Sequence, residues 1–404
     1  MSDGPLSGVR VLDFCHFLAG PYATLILAEL GADVIKIEDP ERPDEARHIG
    51  PKFVNDESLY FLSLNWGKRS LGVRLSTEQG RRVVMDLVRT SDAVVDNYRP
   101  GVMAKLGLDH DALAAVNNRI VTCSLTGFGA TGPYADRPGY DYTIQALAGV
   151  MSLTGEPDSP PGKAGISYVD HSGGMGAALA VCSALIERGR TGRGRHIDLS
   201  LLDIQVSMLT YLASWQLNSS FEPSRTPSAA HPSIVPAQNF PTSDGYVAVF
   251  VGNDPMWKRF AAAAGDARLN GPEFVTHEQR FNERKRLIPL LEDILRTAPS
   301  ADWVQRLSSA GVPCAPVNDL GEALEDPHVS ARGLVATASH DRYGTYRHVR
   351  GPLGQMVGEE SGAEGAPLLG EDTRRVLAEI GYTDDLVASL LATGVVASAD
   401  AEHR

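Results

Sequence analysis

The N-terminal segment carries the pattern that most restricts how this chain can fold. Apolar runs at Val9–Phe14 and Val34–Ile37 each predict a short buried strand. Between them, Gly20-Pro21 opens a helical stretch that stops at Gly31, since proline suits the first turn of a helix and glycine suits its carboxyl end. A strand, a helix and a strand in this order imply a parallel sheet with a right-handed crossover.

The same alternation continues along the chain. Further strands are predicted at Arg69–Leu75, Ala93–Asn97 and Ile120–Leu125, with helices at Thr77–Arg89 and Asp111–Val116 between them. The turn after the first strand reads CHFLAGP instead of G-x-G-x-x-G, so it lacks the glycine fingerprint of a dinucleotide site. The sequence therefore predicts an α/β fold with a parallel sheet, but not one that binds NAD.

The middle of the chain changes character. The 404 residues are enough for two domains that each bury a core. Residues 218–241 are rich in proline and serine, which indicates a linker or a long connection. A strand at Tyr246–Val251 follows, and helices near 254–264, 278–295 and 301–310 predict a separate α+β unit.

Charge and composition exclude several classes of protein. A net charge of −13 argues against nucleic acid or an anionic membrane as the main partner. The four cysteines form no C-x-x-C pair, which is typical of reduced cytosolic thiols. We expect no secretory signal, and no apolar run approaches the roughly eighteen residues of a membrane span. Reduced thiols and the missing signal indicate a cytoplasmic protein. No His, Cys and Asp cluster has metal-ligand spacing, so we expect no metal.

The stretch Tyr168–Gly176 (YVDHSGGMG) places Asp170 just ahead of a small-residue helix predicted at Ser172–Glu187. One explanation is an N-cap, which accepts the free N–H groups of the first turn. The other is a carboxylate nucleophile, kept ionised by the helix dipole. The missing side chains of Gly173 and Gly174 would then let a substrate approach the backbone. Local sequence leaves both explanations open and favours the commoner cap.

Other segments also allow two interpretations. The loops Asp96–Gly101 and Thr126–Tyr134 each follow a predicted strand. Each could be a plain turn, or a ligand-binding loop at the carboxyl end of a parallel sheet. His16 and His171 could act as acids or bases. No G-x-S-x-G or H-E-x-x-H motif accompanies them.

Taken together, these segments resemble the family III CoA-transferases, which include formyl-CoA:oxalate and carnitine CoA-transferases and the α-methylacyl-CoA racemases. The resemblance covers nearly the whole chain and is carried by ordered motifs: AGPYATLILAELGADVIKIE, LNWGKRSLGVRL, DAVVDNYRPGVMAKLGL, SLTGFGATGPYADRPGYD, VDHSGGMGAALAVCSALIER, TGRGRHIDLSLLD and GVPCAPVNDLGEALEDP.

The resemblance implies a Rossmann-like large domain built from both chain ends, a smaller α+β domain between them, and an interlocked homodimer. On this basis the large domain comprises residues 1–217 and 346–404, and the small domain comprises residues 242–325. Linkers at 218–241 and 326–345 join the two.

The resemblance also implies a mechanism. Asp170 matches the aspartate that attacks the donor thioester, forms a mixed anhydride and then becomes an aspartyl-CoA thioester. CoA is a substrate in this chemistry, so no tightly bound cofactor is expected. The matching positions for CoA contacts are His16, Phe17, Leu18, Asn97, Lys105 and Arg137. The candidate substrate contacts are Tyr140, His171, Gly173 and Gly174.

Two details refine the expected activity. The racemases carry a histidine where this chain has Tyr140, and a phenol is a poor acid or base near neutral pH. The segment AAHPSIVPAQNFPTSDGYVAVFVGND resembles the branch acting on succinyl-, citramalyl-, mesaconyl- or glutaryl-CoA, and argues against oxalate. We therefore expect a transferase that moves CoA between small carboxylic acids, with dicarboxylic acids as the favoured acceptors. The alternatives are an acyl-CoA racemase or epimerase, and a non-catalytic acyl-CoA-binding protein, which a buried and inaccessible Asp170 would favour.

Overall fold

The computed structural model describes residues 4–357 and 363–399. Its strands are β1 Arg10–Asp13, β2 Asp33–Glu38, β3 Phe53–Val54, β4 Glu57–Ser58, β5 Arg69–Val73, β6 Ala93–Asp96, β7 Val121–Thr126, β8 His196–Ser200, β9 Ala237–Pro241, β10 Tyr246–Phe250, β11 Cys314–Pro316, β12 Val335–His340, β13 Gly344–Val349 and β14 Val396–Ala397.

Its helices are α1 Ala19–Glu29, α2 Leu59–Asn65, α3 Glu78–Val88, α4 Val102–Lys105, α5 His110–Val116, α6 Asp141–Leu147, α7 Tyr168–Thr191, α8 Leu201–Met208, α9 Thr210–Asn218, α10 Asp254–Ala264, α11 His277–Asn282, α12 Arg284–Leu295, α13 Ser300–Ser309, α14 Leu320–Glu325, α15 Pro327–Ala331, α16 Thr373–Glu379 and α17 Asp384–Ala392.

A mostly parallel sheet forms the centre of the first part of the molecule. Within the described residues, seven strands follow the order β14-β5-β2-β1-β6-β7-β8. Every neighbouring pair is parallel except β14 with β5, which is antiparallel. The predicted α/β fold with a parallel sheet is confirmed. The antiparallel edge strand comes from the C-terminal end of the chain, far from β5 in sequence.

The chain divides by compactness into two units. The first comprises residues up to Ala148, Ile166–Leu209 and the residues from Pro327 on. The second comprises Gly149–Gly165 and Thr210–Asp326. This grouping assigns 149–165 and 210–217 to the second unit, whereas the sequence-based domain bounds place them in the large domain. Those bounds stay a prediction.

The first unit buries apolar side chains on both faces of its sheet. On one face, helices α1 and α7 cover strand residues such as Val11 and Val121. On the other, residues of α3 and α17 pack over Leu12 and Val94. Because alternate strand residues point to opposite faces, the apolar runs read from the sequence supply both cores.

The second unit has a small antiparallel sheet of its own. Among the residues that the structure describes, β9, β10 and β11 form it, with β10 in the centre. The last residues of the stretch predicted as a linker form strand β9. Their backbone groups pair with those of β10. Phe240, Phe260 and Trp303 belong to the buried core beside the sheet. This unit is α+β in character.

Helix α7 is long and apolar enough to cross a membrane by length and composition. The expectation that no apolar run approaches that length is therefore wrong. The helix is partly buried within the chain, where it packs against α1 and β7. Core helices of globular proteins meet the same criterion.

Candidate active site

A cavity of about 250 Å³ opens beside the carboxyl ends of β1, β6 and β7. Ligands of open α/β sheets bind at this edge. Seven of the eleven residues predicted for the site line the cavity: His16, Phe17, Leu18, Asn97, Arg137, Tyr140 and Asp170. These residues come from distant parts of the chain, and the fold of the first unit brings them together.

Asp170 is the third residue of helix α7, and Ser167 is the N-cap, without a side-chain cap bond. The interpretation of Asp170 as an N-cap is therefore wrong, as is the predicted helix start at Ser172. The helix extends further because the N–H of Val169 donates to the carboxylate of Asp141, at 2.9 Å. A group from another helix caps α7, which leaves the carboxylate of Asp170 on the cavity wall.

Burial raises the pKa of Asp170 to about 7, and the nearby charge of Asp141 adds to the effect. In the nucleophile interpretation, the helix dipole was expected to keep this carboxylate ionised. Burial and a like charge outweigh the dipole here, because both disfavour the ionised form. Asp141 itself is buried, and its other carboxylate oxygen accepts a hydrogen bond from Gln145 at 2.7 Å.

The turn at His16 and Phe17 is tied to the end of β6. The amide of Asn97 accepts the N–H of His16 at 2.9 Å and donates to its carbonyl at 2.8 Å. The hydroxyl of Tyr98 lies 3.3 Å from Nε2 of His16. Burial lowers the pKa of His16, and the charge of Lys36 lowers it further. The imidazole is thus neutral at neutral pH and suits contact with an uncharged thioester.

The opposite side of the cavity comes from the loop before α6. The ring of Tyr140 lies edge-on to that of Phe17, with centroids 6.3 Å apart, and Tyr140 is 60% exposed. The guanidinium of Arg137 lies 3.9 Å from the ring centroid of Tyr134. This exposed cation at the cavity edge can meet an anionic group of a ligand.

Four predicted site residues lie off the cavity wall. Lys105 is exposed at the end of α4, and the ring of His171 packs on Tyr22 with centroids 4.8 Å apart. Gly173 and Gly174 are buried. A Cβ on Gly174 would lie 2.7 Å from the carbonyl oxygen of Ala19, and one on Gly173 would meet Leu201. The expectation that these glycines form an open wall for a substrate is therefore wrong. They allow neighbouring helices to pack closely against α7.

Sequence reasoning missed Tyr60, at the start of α2. Burial raises the pKa of its phenol to about 12, and the charge of Asp170 is the next largest cause. Tyr60 therefore lies close enough to Asp170 for their charges to interact. The N-cap Ser58, whose hydroxyl accepts from Tyr60 N–H at 3.2 Å, could have indicated the helix. No local sequence signal predicts that the charge of Asp170 acts on Tyr60.

The chain is similar to known proteins over most of its length. The model of "CoA-transferase family III" matches residues 6–373. Succinyl-CoA:glutarate CoA-transferase of Mus musculus is 38% identical over 97% of this chain and 90% of its own length. Acetyl-CoA:oxalate CoA-transferase of Acetobacter aceti is 38% identical over 82% of this chain and 85% of its own. A CAIB/BAIF family protein from Brucella suis has a solved structure that superposes with a TM-score of 0.82 and 36% identity. The match covers 94% of this chain and 100% of that one.

Proposed function

The chain belongs to CoA-transferase family III, and from that premise we propose that it moves CoA from an acyl-CoA to a small dicarboxylic acid. The names of two relatives, one acting with glutarate and one with oxalate, support this class of acceptor. The observation that carries the proposal is Asp170, a carboxylate on the wall of a cavity at the strand ends.

In the proposed reaction the carboxylate of Asp170 attacks the carbonyl carbon of the donor thioester. The C–S bond breaks, which leaves a mixed anhydride and CoA thiolate. The thiolate then attacks the Asp170 carbonyl, forms an aspartyl-CoA thioester and releases the donor acid. The acceptor carboxylate repeats the two steps in reverse order and frees Asp170. No net proton or electron is consumed, so carboxylate and thiolate suffice as nucleophiles.

The other cavity residues suit the parts of such substrates. Neutral His16 with Phe17, Leu18 and Asn97 would line the thioester arm, and Arg137 would meet a phosphate or carboxylate of the ligand.

The roles of Lys105 and His171, which lie off the cavity, stay predictions. We propose CoA as a substrate and no resident cofactor.

We also propose that two chains form an interlocked homodimer. Exposed apolar side chains on α7 and α8 support an interface there. On α7, Leu179 is 69% exposed and Ile186 is 68% exposed, and Met175 is exposed on the same helix. Val206 is exposed on α8. Monomeric proteins rarely expose a contiguous apolar patch of this kind. Sedimentation at nanomolar concentration tests this proposal, because interlocked chains should not separate without unfolding.

A substrate panel tests the function. The wild-type protein is incubated with succinyl-, glutaryl- and acetyl-CoA against succinate, glutarate and oxalate, and exchange is followed by mass spectrometry. Exchange among dicarboxylic acids supports the proposal. Deuterium uptake at the α-carbon of a 2-methylacyl-CoA without exchange would favour the racemase alternative. Binding of acyl-CoA with neither reaction would favour the non-catalytic alternative.

A further inference from the structure

Phe17 lines the cavity in an unusual backbone conformation. Its φ is 62°, in the left-handed region that a phenylalanine rarely adopts. Residues in sparsely populated regions of this kind persist only where their surroundings hold them. The turn that ends at Phe17 therefore needs anchors on its backbone.

Two buried side chains beneath the turn supply such anchors. Nζ of Lys36, on β2, donates to the carbonyl of Cys15 at 2.6 Å. The same Nζ lies 2.9 Å from one carboxylate oxygen of Asp44. The other oxygen of Asp44 accepts the N–H of Phe17 at 3.0 Å. Both side chains have no exposed surface, so one ion pair spans the turn from Cys15 to Phe17.

Stability alone does not account for a charged pair at this place. Burying two ions carries a large desolvation cost, and well-packed apolar residues often stabilise a fold equally well. An apolar pair could not bond to the carbonyl of Cys15 and the N–H of Phe17 together. The feature specific to Lys36 and Asp44 is thus their hold on the backbone of the turn.

We propose that Lys36 and Asp44 are positioning residues for CoA transfer. They keep the Cys15–Phe17 turn in the conformation in which Phe17 lines the cavity together with Asp170. Neither Lys36 nor Asp44 lines the cavity, so they act through the turn and not on the ligand. This inference rests on the proposed function.

The test compares Lys36→Met with a matched control. Arg47 is also buried, and it pairs with Glu38 at 2.6 Å. Among the described residues it makes no hydrogen bond to the backbone of the turn. We expect Lys36→Met to lower kcat on the order of 100-fold, because a displaced Phe17 would hold the reacting groups out of alignment. The Kd of free CoA should change less. Arg47→Met should lower Tm and keep kcat.

Each outcome decides the inference. A folded Lys36→Met protein with the kcat of the wild type would overturn it, and so would an equal loss of kcat in Arg47→Met. Where Lys36→Met does not fold, Asp44→Asn decides, since the single amide oxygen of asparagine cannot accept from both Lys36 and the N–H of Phe17 and one of the two anchors is lost. A lower kcat than in Arg47→Met supports the inference, and an unchanged kcat overturns it.

Failure of the proposed function is distinguishable. A wild-type protein that transfers no CoA refutes the function, and a crystal structure of Asp44→Asn then tests the positioning role alone. Phe17 should leave the left-handed region in that variant. A Phe17 that keeps its φ near the wild-type value would overturn the positioning role.

Discussion

Asp141 acts on Asp170 from a different helix: it caps the start of α7 through the N–H of Val169, and its charge helps to raise the pKa of Asp170. Burial is the larger cause of that raised pKa, and the like charge of Asp141 adds to it. Because both disfavour the ionised form, Asp170 binds its proton more tightly than an isolated aspartate does.

The first prediction concerns the nucleophile. Asp170→Ala should lower CoA exchange by a factor on the order of 10³ or more, since the variant lacks the carboxylate proposed to carry the acyl intermediate. Circular dichroism should show an unchanged fold, because Asp170 does not cap the helix. Asp203 is the matched control: it is also the third residue of its helix, and it is exposed. Equal losses in Asp170→Ala and Asp203→Ala would refute the assignment.

The second prediction concerns pH. Attack requires ionised Asp170, so kcat/KM should rise as the pH increases through about 7, the pKa of this group. Asp141→Asn removes a like charge and should lower that pKa, which moves the midpoint of the profile to a lower pH. Steady-state rates between pH 5 and pH 9 measure both profiles. A midpoint that stays in place in Asp141→Asn would contradict the coupling.

The third prediction concerns stability. The pKa of Asp170 rises from its ordinary value of 3.8 to about 7 in the folded protein, so the native state binds more protons than the unfolded state between these values. Stability from this group therefore falls as the pH rises through that window. Asp170→Asn should be more stable than the wild type at pH 8, by up to about 4 kcal/mol.

Urea unfolding measures that difference. It should shrink as the pH falls through this window and vanish well below the ordinary pKa of 3.8, where Asp170 is protonated in both states. A variant that is less stable than the wild type at pH 8 would show that burial of the charge carries no cost.

The fourth prediction concerns the packing of α1 on α7. Gly174→Ala should destabilise the protein by about 1–3 kcal/mol, because the new Cβ would lie 2.7 Å from the backbone oxygen of Ala19. Gly189, later in the same helix, has open space around it. Gly189→Ala should therefore stabilise the protein slightly, by about 0.5–1 kcal/mol. Thermal melts of the two variants should move in opposite directions.

Local sequence signals predicted most of the large sheet. The strands around Val34 and Val94 and helix α1 lie where apolar runs, Pro21 and Gly31 predicted them. Signals of this kind are local, since side-chain spacing and backbone preferences act within a few residues. The family motifs added the activity and pointed to Asp170, although the start of its helix was predicted too late.

Contacts between distant groups could not be predicted in this way. The cap of α7 by Asp141, the effect of the Asp170 charge on Tyr60 and the close packing at Gly174 each join residues from separate elements. No pattern along the chain encodes such contacts, because they follow from how helices pack on the finished sheet. Local patterns thus predicted the main strands and helices, and the family motifs pointed to Asp170, whereas packing set the exposure, the pKa and the neighbours of Asp170.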